Sequence, residues 1–178
     1  MNLGPGNTLY TLHELANTIT QQTIPTKPGN DFPPLIANVS TLPKNVPVGS
    51  TYTAAELLLS PRSPNTKAYG KTGTEECTRY LYASNRNISP NTTQLDPLGD
   101  TIAIFATSPK LHVVNQVHTG LRQIRGMRLS NDAKYIVAGG LTGGGLAIFE
   151  VTEGGMNLEL RARYTGAGSA QLSSFVWL

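Results

Sequence analysis

The feature that most constrains this chain is a hidden repeat of short strand-like segments. One unit reads Ala55-Glu56-Leu57-Leu58-Leu59-Ser60, then Arg79-Tyr80-Leu81-Tyr82-Ala83-Ser84-Asn85, then Asp100-Thr101-Ile102-Ala103-Ile104-Phe105, then residues 111–120. The next reads Gly126-Met127-Arg128-Leu129-Ser130, then Lys134-Tyr135-Ile136-Val137-Ala138-Gly139-Gly140, then Gly145-Leu146-Ala147-Ile148-Phe149, then residues 158–166. The Ile-Phe pairs at 104–105 and 148–149 lie 44 positions apart, and the Thr-Gly pairs at 119–120 and 165–166 lie 46 apart. Four short strands in a period of this length are the sequence signature of propeller blades.

The segments support that reading one by one. In 101–106, Ile102 and Ile104 fall on one face of a strand, Ala103 and Phe105 on the other. Apolar residues on both faces are expected of a sheet packed between two neighbours. Ser130-Asn131-Asp132-Ala133, Thr142-Gly143-Gly144-Gly145 and Glu153-Gly154-Gly155 supply turns between strands. Leu9–Asn17 has a weak helical pattern, but Leu9-Tyr10 aligns with Leu81-Tyr82, so a strand is expected there. The fold class predicted is all-β, a β-propeller.

The expected organisation is an incomplete unit over 1–46, a unit with two loop insertions over 47–120, a third unit over 121–166 and a closing strand in 167–178. In the first unit Thr8–His13 matches a second strand, Asn17–Thr23 a third and Leu35–Leu42 a fourth, with nothing before them to act as an innermost strand. The insertions, 62–78 and 87–99, are polar and rich in Pro, Gly, Asn and Thr, the composition of long surface loops.

Composition narrows the function classes. With 178 residues, 14% charged, 18 Gly and 12 Pro, the chain reads as a turn-rich soluble β protein. The net charge of +3 comes without a Lys/Arg cluster or basic–aromatic interleaving, so no nucleic-acid partner is expected. No apolar run approaches the ~18–20 residues of a bilayer span, so no membrane partner is expected either. The opening residues show no basic stretch followed by an apolar one, which favours the cytoplasm, with secretion expected only of a chain that starts further upstream. Cys77 stands alone, and no His/Cys/Asp/Glu spacing resembles a metal site, so neither a disulfide framework nor a metal is expected. Three glycosylation triplets begin at Asn38, Asn87 and Asn91. The glycines of 139–145 lack the following Lys-Ser/Thr and helix of a phosphate loop and read as a tight turn.

Topology alone suggests where chemistry could sit. In an up-and-down sheet the end of strand two and the start of strand one share a rim. Superposing the second strands puts Glu14, Arg86 and Leu141 at equivalent positions just past their ends, while Glu56 and Arg125 fall near the start of strand one. Two carboxylates and two guanidiniums on one rim suit a small anionic molecule, because Arg forks hold carboxylates or phosphates and a Glu can move a proton. The same residues serve equally well as an ion pair between neighbouring sheets. His13, beside Glu14, should point the other way. His112 and His118 belong to an outer strand, where a solvated histidine is the ordinary outcome.

The run Ala55–Pro61, then Arg79–Arg86, then Asp100–Phe105 resembles a blade of the lactonase-type seven-bladed propellers, with Leu9–Ile19 resembling an earlier blade and Ser174–Leu178 the end of the ring. That family includes propeller-type 6-phosphogluconolactonases and fungal 3-carboxy-cis,cis-muconate lactonising enzymes (carboxymuconate cyclases). The resemblance implies about three C-terminal blades of a ring and a lactone-active enzyme needing no cofactor. It implies catalytic roles for Glu14, in His13-Glu14-Leu15-Ala16-Asn17, and for Arg86, in Ser84-Asn85-Arg86. Glu56 and Arg125 are then expected to bind substrate. The family site also draws a His and a further Arg from blades upstream of these residues.

Overall fold

The computed structural model describes residues 7–27, 29, 33–61 and 78–178. Cys77 and nearly all of the first expected insertion lie outside the described residues. The rest is all-β: three antiparallel sheets in which each strand pairs with the one before it in sequence. The first holds β1 (Thr8–His13), β2 (Thr18–Thr23) and β3 (Leu35–Ser40). The second holds β4 (Tyr52–Leu59), β5 (Tyr80–Asn87), β6 (Thr101–Ala106) and β7 (His112–His118). The third holds β8 (Arg122–Leu129), β9 (Tyr135–Gly143), β10 (Leu146–Thr152) and β11 (Asn157–Tyr164). No helix among the described residues is long and apolar enough to cross a membrane.

Strand alternation builds two cores from one sheet. From β5 and β6, Tyr80, Tyr82, Ile102 and Ile104 face the third sheet, where Ile124, Ile136 and Phe149 meet them. Their neighbours in sequence, Leu81, Ala83, Ala103 and Phe105, face the first sheet and pack with Ile19 and Ala37. The middle sheet is therefore apolar on both faces, as its sequence requires. At roughly 25 cal/mol per Å² of apolar surface buried, these two layers are the main force joining the sheets.

Polar side chains fasten the boundaries where backbone groups would otherwise go unpaired. Between the first two sheets, buried Asn85 donates to Thr41 O (2.7 Å), Gln116 donates to the same carbonyl (2.8 Å), and Gln21 Oε1 accepts from Leu111 N (2.9 Å). Between the second and third, Tyr82 donates its hydroxyl to Gly155 O at 3.0 Å. Buried backbone groups must find such partners, so these residues register one sheet against the next.

Three expectations need correction. The innermost strands begin earlier than the apolar runs at 55 and 126, at Tyr52 and Arg122. Irregular pairing explains why: register shifts between Ala54 and Leu57, and between Arg122 and Gly126, break the alternation that marks a strand in sequence. Secondly, residues 172–178 join no ladder. They lie across the face of the third sheet, where a side chain on Gly126 would run into Ser173 O (2.2 Å) and one on Gly139 into Leu172 and Phe175 (2.7 Å each). Among the described residues it has no strand to pair with, and its tie to β8 is a bond from Trp177 Nε1 to Arg128 O (3.3 Å). Thirdly, the loop expected over 87–99 begins one residue later, because Asn87 ends β5, and a 3-10 turn spans Thr92–Gln94 within it.

That order uses up one glycosylation triplet. Asn87 is buried, donating to Gln94 O (2.6 Å) and accepting from Ser89 N (3.0 Å), whereas Asn38 and Asn91 are exposed.

Candidate functional site

The residues expected at the ends of the second strands come together. The turn after β1, closed by Asn17 in the left-handed region (φ 52°), brings Glu14 over to the second sheet. Asn is among the side chains that tolerate this conformation. Ala54 N donates to Glu14 O at 3.0 Å, and Asn17 Nδ2 donates to Tyr52 O at 2.8 Å, so the turn is bonded to β4 at two points. Arg86, near the end of β5 and opposite Thr53 of β4, donates through Nη2 to Glu14 Oε1.

The two partners are unequally wet. The Arg86 side chain is 11% exposed and that of Glu14 is 61% exposed. Arg86 Nε is buried without a hydrogen-bond partner among the described residues. A guanidinium held from one side by a carboxylate keeps its positive charge and can attract a second anion at its exposed edge. The exposed carboxylate beside it can accept a proton from water or substrate.

The other two expected residues do not join this pair. Because β4 and β8 begin early, both lie in mid-strand. Glu56 occupies the irregular stretch of β4, where its N–H donates to Ser84 Oγ (3.0 Å). Burial raises its carboxyl above the ordinary range, and the Leu57 N–H and the Arg128 charge only partly offset that. Its charged neighbour is thus Arg128, not Arg125. Arg125 is exposed and lines an open groove of about 520 Å³ with Leu141, Thr142, Gln171 and Ser173.

The histidines have ordinary partners. His13 Nε2 lies 3.0 Å from Thr20 Oγ1, His112 Nδ1 lies 2.8 Å from Lys110 O, and His118 Nδ1 lies 3.6 Å from Asp96 Oδ2. No group of His, Cys, Asp and Glu able to hold a metal occurs among the described residues. Of the glycines in 139–145, Gly139, Gly140 and Gly143 belong to β9 and only Gly144 and Gly145 form the turn into β10, with Gly140 N bonded to Gly145 O at 2.8 Å.

One charged residue beneath this rim escaped the sequence reading. Asp100, 1% exposed, begins the third strand of the second sheet and accepts from Gln123 N at 2.5 Å through Oδ2. Its burial holds the carboxyl up at about 6, against the pull of the Gln123, Asn87 and Ile124 N–H groups and of Arg122. The available signal was its place: an acid directly before a strand that is apolar from its second residue on.

Consecutive antiparallel sheets stacked face to face, with charges gathered at one rim, define a β-propeller. The chain belongs to the seven-bladed β-propeller lactonase family, whose model matches residues 4–175. No curated protein sequence matches it. Among solved structures it is similar to a protein of Bacteroides uniformis assigned as a 6-phosphogluconolactonase, at 22% identity and TM-score 0.57 over 87% of this chain and 36% of that one. It is also similar to a Lactobacillus plantarum protein at 16% identity and TM-score 0.64, over 94% of this chain and 40% of that one. The periplasmic gluconolactonase of Pseudomonas aeruginosa matches at 14% identity and TM-score 0.63, over 97% of this chain and 40% of that one. The chain therefore spans 36–40% of the length of these structures, and at such identities the likeness is one of fold.

Proposed function

We propose that the three sheets are C-terminal blades of a seven-bladed ring, and that this ring is a lactone-active enzyme for a small anionic substrate, with Glu14 and Arg86 in its site. The observation that carries this reading is the Glu14–Arg86 pair itself, made across two sheets at one rim with the carboxylate open to solvent. Family membership and the lactonase names of two structural neighbours support the reaction class.

Two reactions fit the pair. In hydrolysis, Glu14 takes a proton from water as its oxygen attacks the lactone carbonyl carbon. Arg86 holds the substrate's anionic group and stabilises the developing oxyanion, and the ring C–O bond then breaks, its oxygen leaving with a proton. In cyclisation, a carboxylate oxygen of a carboxymuconate adds to the double bond while Glu14, protonated, delivers a proton to the adjacent carbon. Arg86 binds a second carboxylate. Both routes ask only for proton transfer and charge binding, which side chains supply. Glu56 and Arg125 are proposed as outlying substrate contacts on the same inner strands.

A second reading is favoured by the bond from Ala54 N to Glu14 O: the turn is held to β4 for its own sake, and the ion pair is a clasp in a non-catalytic propeller that binds a protein or glycan. The variants Glu14→Gln and Arg86→Met separate the two, assayed against sugar-acid lactones and carboxymuconate. The catalytic reading expects a drop of at least about a hundredfold in kcat/KM with one substrate class. Wild-type turnover in both variants, with a lowered melting temperature, would leave the clasp.

A further inference from the structure

We propose that Asp100 is a positioning residue, one buried carboxylate that fixes the Arg86 end of β5 and the β8 stretch leading to Arg125 relative to each other. The inference rests on the reading of Arg86 and Arg125 as substrate-holding residues.

The geometry begins where a ladder stops. The β5–β6 pairing ends at Ser84 and Ile102, although β5 continues to Asn87. The N–H of the Arg86–Asn87 peptide is therefore without a strand partner on that side, and it faces the Asp100 carboxyl instead. On the other side the same carboxyl accepts from Gln123 N and faces the N–H of Ile124. Gln123 is a long polar residue in the left-handed region (φ 55°), inside the irregular pairing at the head of β8. Such a conformation persists where its surroundings hold it. Main-chain bonds lock the carboxyl in place: Asp100 N donates to Leu121 O (2.8 Å) and Asp100 O accepts from Thr119 N (3.0 Å) and Thr119 Oγ1 (2.7 Å). Arg125 follows Ile124 directly. One side chain thus bonds the N–H of Gln123, two residues before Arg125, and faces the N–H of Asn87, the residue after Arg86.

Desolvation is the largest influence on this carboxyl and outweighs the N–H groups that favour its ionised form. Oδ1 is buried with no hydrogen-bond partner of ordinary geometry among the described residues. The charged groups around it are Arg122 on β8, Tyr52 on β4, Asp96 in the loop after β5, His118 on β7 and Arg163 on β11. Arg122 is tied to Asp96 O (2.7 Å) and Arg163 to the Thr119 carbonyl, so neither makes a direct ion pair with Asp100 in the structure. An asparagine of the same size offers one accepting oxygen where the carboxylate offers two and turns its NH2 towards an N–H, so Asp100→Asn weakens the grip with little change of volume.

The test combines spectra of the wild-type protein with kinetics of Asp100→Asn. Between pH 4.5 and 8, the amide signals of Asn87, Gln123 and Ile124 and the Nε–H signals of Arg86 and Arg125 should shift together with a midpoint of about 6. In D100N that common titration should vanish. With whichever lactone the wild type turns over, D100N should lose about tenfold in kcat/KM, mainly through KM, because substrate-holding groups have lost their spacing. Wild-type spectra in which the two Arg signals stay still across this range overturn the proposal, whether or not any variant folds. Wild-type KM in D100N overturns it as well. Should the wild type turn over no lactone, the reading of the site fails, and the spectra alone still decide the role of Asp100.

Discussion

Asp100 also sets a pH dependence of stability at the scale of a single residue. Burial holds its carboxyl at about 6 in the folded chain against an ordinary value of 3.8, so the native state binds more protons between those values. The contribution to stability is then fully present below about pH 4 and is lost as pH rises through 6, amounting to about 3 kcal/mol for a fully buried group. Glu56 acts with the same sign, its carboxyl being raised too. Subtracting the urea-unfolding curve of D100N from that of the wild type isolates the Asp100 share. The difference should move against the wild type between about pH 4 and 6.5; a difference that stays constant would contradict a raised carboxyl. At this scale the sequence was informative where residues repeat in equivalent places, as with Glu14 and Arg86. It was silent on Asp100, because burial and the N–H groups of Asn87 and Gln123 are properties of two sheets meeting.

At the scale of elements, the β10–β11 connection shows how a turn is fitted to a neighbouring sheet. Gly155, at φ 113°, lies where a Cβ would be 2.4 Å from the Tyr80 ring, and its carbonyl accepts from the Tyr82 hydroxyl. Gly155→Ala is expected to cost about 2–4 kcal/mol through backbone strain and overlap with a ring that the core holds in place. Tyr82→Phe should cost only about 1 kcal/mol, the net worth of one hydrogen bond. Urea denaturation checks both, and equal losses would show that the clash with Tyr80 is relieved cheaply. Strands themselves were legible where alternation is clean, as in Thr101–Ala106, whose two faces feed two cores. Their ends were not. Tyr52-Thr53 and Arg122-Gln123 are polar enough to read as loop, and they extend their strands only through irregular pairing with β5 and β9. Ser173–Leu178 differed in the opposite sense: its apolar run Phe175–Leu178 reads as a strand, yet the segment joins no ladder and Phe175 lies against a sheet face, and no local pattern distinguishes a face from an edge.

At the scale of the whole molecule, each sheet is held by its neighbours alone, so stability should be divisible along the chain. The first sheet meets the second through Ile19, Ala37, Leu81 and Phe105, while the third meets it through a separate cluster around Ile104, Ile136 and Phe149. The middle sheet belongs to both. Ile19→Ala and Phe149→Ala, each removing a side chain at most 2% exposed, should cost about 2–5 kcal/mol each by loss of transfer energy and an unfilled cavity. Their consequences should differ in place. Hydrogen exchange in Ile19→Ala should speed up in β1–β3 and leave β9 and β10 as protected as before, whereas Phe149→Ala should do the reverse. The middle strands β5 and β6 should lose protection last in either variant, because each variant leaves one of their two faces covered. Uniform loss of protection across all three sheets in both variants would mean that they unfold as a single cooperative unit, and that the inter-sheet bonds from Asn85, Gln116 and Tyr82 couple the layers more tightly than their apolar faces do.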